Sequence, residues 1–153
     1  MTSPDPGAGV DHAAPRFHHI GYAVADIRRY LDQHMIPLYA PVHISEPVAD
    51  PIQKVRVCFV TMRGGSVIEL VEPLGDDSPV QRFIGSPRGG LYHLCYEVAD
   101  LEDAIARFRA RGCLPLGHPV PAAAFDGRRI LFLMTPQRDL VELLEAEAVR
   151  SMS

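Results

Sequence analysis

The chain contains no apolar run approaching the roughly 18 residues that a bilayer-spanning helix requires, so a transmembrane segment is not expected. It has little excess charge: a net −4 over 153 residues leaves no broad basic surface, and a nucleic-acid role has no electrostatic footprint. Its first fifteen residues, MTSPDPGAGVDHAAP, have neither the basic nor the apolar region of a secretory signal. Residues 1–15 and 147–153 are read as flexible tails, and a cytoplasmic location is expected. Cysteine is scarce: Cys58, Cys95 and Cys113 are odd in number and lack CxxC spacing, which argues against a disulfide framework or a thiolate metal site. All three sit in or beside apolar stretches and read as free thiols.

What is present is repetition. HIGYAVADI begins at His19 and HLCYEVADL at His93, 74 residues later, and the two share His, Tyr, Val, Ala and Asp. A second pair follows at nearly the same offset, since VIELVEP carries Glu69 and LVELLEA carries Glu142. Two matches in one order indicate a duplicated module, and two copies are too few for a solenoid.

Each half reads strand, helix, strand, strand, strand. Module one (16–75) opens with a strand at 17–24 and a helix capped by Asp26 and stopped by Pro37. Strands follow near 38–44, 55–62 and 66–72, with an irregular loop before the middle one. A linker (76–90) carries a short helical piece at 79–84. Module two (91–146) repeats the order, with strands at 91–98, 114–118, 129–134 and 139–145 and a helix from 101 to 111 ended by Gly112. The expected class is α+β, two tandem βαβββ modules forming one domain over 16–146.

Strand alternation puts His19 on the face of Gly21 and Ala23, and His93 on that of Cys95 and Glu97, opposite the bulky residues that pack under the helices. Glu69 and Glu142 lie amid strand-forming apolar residues, where an unpaired carboxylate would cost several kcal/mol. A metal or a histidine would supply the partner. If the halves face one another, His19, Glu69, His93 and Glu142 form an N/O set for a divalent transition metal; cobalt, nickel, manganese, zinc and iron all accept it. His12, His18, His34, His43 and His118 fall outside the repeat and read as surface residues.

HHIGYAV, VIELVEPLGDDSPVQRF, LYHLCYEVADLEDAIARFRARG and LVELLE resemble the vicinal oxygen chelate superfamily, and within it methylmalonyl-CoA epimerases. The resemblance implies a cupped eight-stranded mixed sheet around a metal held by His19, Glu69, His93 and Glu142, and a homodimer. It also implies proton abstraction next to a carbonyl of a small substrate, an acyl-CoA or another thioester, with Glu142 and Glu69 as the catalytic carboxylates. A glyoxalase-like lyase or isomerase and a small-molecule-binding resistance protein are the alternative readings. The chain departs from the epimerase pattern before its middle strand, where PIQKV has Ile52 in place of a glutamate. Glu46 and Asp50 in the same loop are candidate substitutes, and Cys95, on the face of His93, is a candidate pocket residue.

Overall fold

The computed structural model describes residues 14–87 and 89–148, so nearly all of both expected tails, and His12, lie outside the described residues. Strand β1 (Arg16–Ala23) leads into a helix spanning 27–39, then β2 (His43–Ile44), β3 (Val48–Asp50), β4 (Val55–Thr61) and β5 (Val67–Pro73). A 3-10 turn at Gln81–Phe83 occupies the connection. The second half runs β6 (Leu91–Val98), a helix at Leu101–Ala110, β7 (Leu114–Pro115), β8 (Val120–Pro121), a 3-10 turn at Ala123–Phe125, β9 (Arg129–Met134) and β10 (Leu140–Glu145).

The ten strands among the described residues join one mixed sheet, whose order reads the same from either end. β1 and β6 meet antiparallel at its centre, each flanked by a parallel partner, β5 and β10. β4 and β9 continue outward antiparallel, with β2 and β3 on β4 and β7 and β8 on β9. The eight expected strands become ten because the edge strand is broken in both halves. Pro47 interrupts the first and Pro119 the second, and a residue without an N–H is tolerated only at such edges. β3 thereby falls inside the stretch expected to be an irregular loop.

The first helix also departs from expectation. It passes through Pro37 and ends at Ala40, whose φ of 43° is left-handed, so the expected strand at 38–44 shrinks to His43–Ile44. A regular helix would clash at Pro37 and lose its bond to the carbonyl four residues earlier. Here the turn Leu31–Met35 is a π-helix, with the Ile36 N–H donating five residues back to Leu31, and this wider turn admits the ring.

The repeated aspartates do the same work in both halves. Asp26 accepts from Arg29 N and Asp100 from Asp103 N, each at 2.9 Å, capping the two helices. Each helix covers one apolar face of the sheet. Ile27 and Met35 pack with Cys58, Val60 and Leu70, and Leu101 and Ala104 with Leu131, Leu133 and Leu143. Alternation then commits the neighbours of these residues, including Glu69 and Glu142, to the opposite, concave face.

Candidate metal centre

The register at the seam sets the site. Gly21 on β1 lies between Glu69 on β5 and His93 on β6, and Cys95 on β6 lies between His19 on β1 and Glu142 on β10. Gly21 and Cys95 are equivalent in the repeat, so each central strand contributes one pivot flanked by a His and a Glu. Gly21 is required there: a Cβ would fall inside the His93 imidazole.

The four polar side chains converge. His19 Nε2 and His93 Nε2 are 3.1 Å apart. Glu142 Oε1 lies 3.4 Å from the first and 3.5 Å from the second, and the Glu69 oxygens lie 3.6 Å from each. All four residues are at most 5% exposed. Ligand atoms about 2.0–2.2 Å from one metal ion in tetrahedral or octahedral arrangement are separated by about 3.0–3.5 Å. The observed spacings are of that size, and Glu142 Oε1, fully buried, has no hydrogen-bond partner among the described residues. His19, His93 and Glu142 therefore fit a divalent ion in size, donor type and charge, with the Glu69 carboxylate alongside them at 3.6 Å from each imidazole.

The electrostatics show strong coupling. Burial pushes Glu69 up; the histidines oppose this and the Glu142 charge adds to it, leaving it above the usual carboxylate range. Burial acts likewise on Glu142, but His93 and His19 outweigh it and hold that carboxyl well below the usual range. His93 is pulled down by burial yet ends raised, because Glu142 and Glu69 favour its charged form.

Aromatic rings enclose the imidazoles. Phe125 stacks on His19 at 6.0 Å, and Phe132 and Tyr92 present to His93 at 5.2 and 4.8 Å. Above the centre opens a cavity of about 520 Å³ with walls from both halves, among them Val55, Val57, Val71, Ile130 and Leu140, and with Glu69, His93 and Glu142 on its lining.

The other candidates are placed differently. Cys95 does not line the cavity; it is fully buried beneath the site among Ala122, Phe125, Ile130 and Leu144, where burial and the nearby Glu142 push its thiol up. Glu46 is exposed and borders a separate surface groove with Arg56 and Glu72, because the broken edge strand directs it away from the cup. Asp50 and Ile52 do line the cavity. Asp50 is buried and accepts from Ile52 N, Gln53 N and Ala123 N, all at 3.0 Å, and from Gln53 Nε2 at 2.7 Å. Four donors occupy its acceptor capacity, so it anchors the 51–54 turn and ties it to the second half. Ile52 is exposed on the rim.

His34 and His43 are exposed, as expected; His118 is exposed too, but on the lining of the cavity. His18 is not a surface residue: it is half-buried, and its Nδ1 lies 2.8 Å from His19 Nδ1. Strict alternation hides it, although the His-His doublet was a visible signal. The three cysteines are free.

Duplicated βαβββ halves that share one sheet and bring a His and a Glu apiece to one buried point define a class of two-module cupped proteins. The chain belongs to the Glyoxalase/Bleomycin resistance protein/Dioxygenase superfamily, whose family model matches residues 18–132. It is 36% identical over 119 residues to an ethylmalonyl-CoA/methylmalonyl-CoA epimerase of Cereibacter sphaeroides, covering 77% of this chain and 87% of that one. Among solved structures, a hypothetical protein of Bacillus halodurans C-125 superposes with a TM-score of 0.75 at 29% identity, over 88% of this chain and 96% of the other. A Streptomyces coelicolor methylmalonyl-CoA epimerase in complex with 2-nitronate-propionyl-CoA gives 0.68 at 28%, over 89% and 97%. None of the described helices is long and apolar enough to cross a membrane.

Proposed function

We propose that the protein is a divalent-metal-dependent epimerase that exchanges the proton on the carbon next to the thioester carbonyl of an acyl-CoA. The observation that carries this reading is the convergence of His19, Glu69, His93 and Glu142 at 3.1–3.6 Å beneath an apolar cavity. The similarity to an ethylmalonyl-CoA/methylmalonyl-CoA epimerase, and to a solved epimerase holding an acyl-CoA derivative, supports the substrate class. The lyase reading gains nothing from these relatives.

His19 and His93, through Nε2, and Glu69 and Glu142 would hold the ion. A divalent ion there supplies a Lewis acid for the substrate oxygens on which charge develops as the proton leaves. Glu142, whose carboxylate lines the cavity, would take that proton through the oxygen not turned toward the two imidazoles. The apolar walls exclude water and strengthen each electrostatic contact inside.

The opposite face of the substrate carbon is served differently. Ile52 carries no titratable group and the Asp50 carboxylate is committed to four donors, so neither is a free second base, whereas Lys54 and His118 line the same cavity. The test is methylmalonyl-CoA in heavy water with metal-loaded protein, following deuterium at C2 and configuration together. Deuterium uptake at C2 accompanied by inversion is expected; no uptake removes the epimerase reading.

A further inference from the structure

The sheet register explains how two consecutive histidines come to touch. Across the β1–β6 seam Phe17 pairs with Tyr96 and His19 with Cys95, so His18 is an extra residue on β1, a β-bulge. Successive strand side chains normally point to opposite faces, and a bulge re-aims one of them. Farther along the seam Gly21 pairs with His93 and Tyr22 with Leu91, which makes Tyr92 the extra residue on β6. His18 and Tyr92 each directly precede a histidine of the centre, so the duplicated halves carry equivalent bulges. They use them differently. Tyr92 presents its ring to His93 at 74° and 4.8 Å, and His93 Nδ1, buried, has no hydrogen-bond partner among the described residues. His18 instead brings Nδ1 to 2.8 Å from His19 Nδ1, and its own ring is held by Phe125 at 5.5 Å and 86°.

We propose that His18 is a positioning residue for the metal centre: it accepts the Nδ1–H of His19 and so fixes the tautomer and ring orientation that aim the His19 Nε2 lone pair into the cup. This rests on the metal-centre reading above. The proton assignment follows from the geometry. Nε2 of His19 faces the other ligand atoms at 3.1–3.6 Å and must be free of hydrogen to ligate, so its proton lies on Nδ1, where His18 Nδ1 stands at hydrogen-bond distance, 2.8 Å. The two ligand histidines are thus unequal. His19 is held by a directed hydrogen bond, and His93 by packing over Gly21 and between Tyr92 and Phe132.

The experiment compares wild type with His18→Phe, which keeps an aromatic ring but cannot accept, and His18→Asn, whose side-chain oxygen can. Long-range proton–nitrogen NMR of the metal-free proteins reports the His19 tautomer, its signals assigned with His19→Gln. Zinc affinity is measured separately by competition with a chromogenic chelator. Wild type should show His19 protonated on Nδ1. His18→Phe should lose that signature and bind zinc roughly 10- to 100-fold more weakly, the size of effect known for outer-sphere partners. His18→Asn should retain the signature and stay near wild type in affinity. An Nδ1-protonated His19 in His18→Phe with unchanged zinc affinity would overturn the proposal, as would a wild-type His19 protonated on Nε2. Should wild type bind no zinc or other divalent ion, the metal-centre reading fails, while the tautomer signature still decides the His18–His19 contact. If His18→Phe does not fold, His18→Ala supplies the same two measurements.

Discussion

Gly21 and Cys95 occupy the same place in the two halves, yet one leaves room for an imidazole and the other fills the space beneath it. Gly21 sits between Glu69 and His93 and Cys95 between His19 and Glu142, so both central strands pivot the site on a small residue. The two pivots predict different consequences of enlargement.

Gly21→Ala should displace the His93 ring, since its Cβ would overlap the imidazole. Overpacking of this kind costs about 1–3 kcal/mol. Urea unfolding should show that loss, and metal titration should show His93 withdrawn from the centre as a large fall in affinity. Cys95→Ser, nearly isosteric, should retain metal.

Removing a ligand should be more severe than removing an outer partner. Glu69→Gln, Glu142→Gln and His93→Ala should each weaken metal binding by more than the roughly 100-fold upper range of outer-sphere changes. Elemental analysis after dialysis against a weak chelator reads this directly. Deuterium uptake at C2 should fall in parallel, with Glu142→Gln losing uptake even when metal is supplied in excess.

Metal affinity should fall as pH falls, because protons and metal compete for the imidazole nitrogens. The raised His93 value places the onset above the ordinary histidine value of 6.5. Chelator competition between pH 5 and 9 checks it, and a flat profile through neutrality would contradict it. In the metal-free protein the linkage runs the other way for His93. A raised folded value contributes stability that is fully present below the unfolded pKa and is lost as pH rises through the folded one. Glu142, held low, contributes stability present above its unfolded value and lost in acid.

Asp50→Ala should loosen the cavity rim without removing a metal ligand. Its carboxylate joins the 51–54 turn to Ala123 of the second half, and losing charge-assisted hydrogen bonds of this kind costs about 1.5–3 kcal/mol. Metal affinity should persist while KM for the acyl-CoA rises, as steady-state kinetics would show.

Much of this was written in the local pattern. The repeated His, Glu and Asp are one chemical unit stated twice: a strand residue facing the cup, a carboxylate on the parallel neighbour, and a helix cap. Period-two alternation was enough to place Leu70 and Leu143 under the helices and Glu69 and Glu142 opposite them. Strands 91–98 and 129–134 fall where alternation puts them. The departures share a cause. A π turn that admits Pro37, edge strands broken at Pro47 and Pro119, and bulges at His18 and Tyr92 each insert or displace one residue, and a rule of fixed period has no means to register that.

The sequence by itself determined the duplication, the apolar and polar faces, the helix caps and the identity of the four converging side chains, because these follow from residue type and spacing along one strand. Only the tertiary structure decided which groups meet. Cross-strand register brought Gly21 under His93 and Cys95 beneath His19, closed Asp50 onto Ala123, sent Glu46 outside the cup and turned His18 toward His19. Register is a relation between strands far apart in the chain, set by packing over the whole sheet, and a one-residue shift at the seam redirects every side chain beyond it.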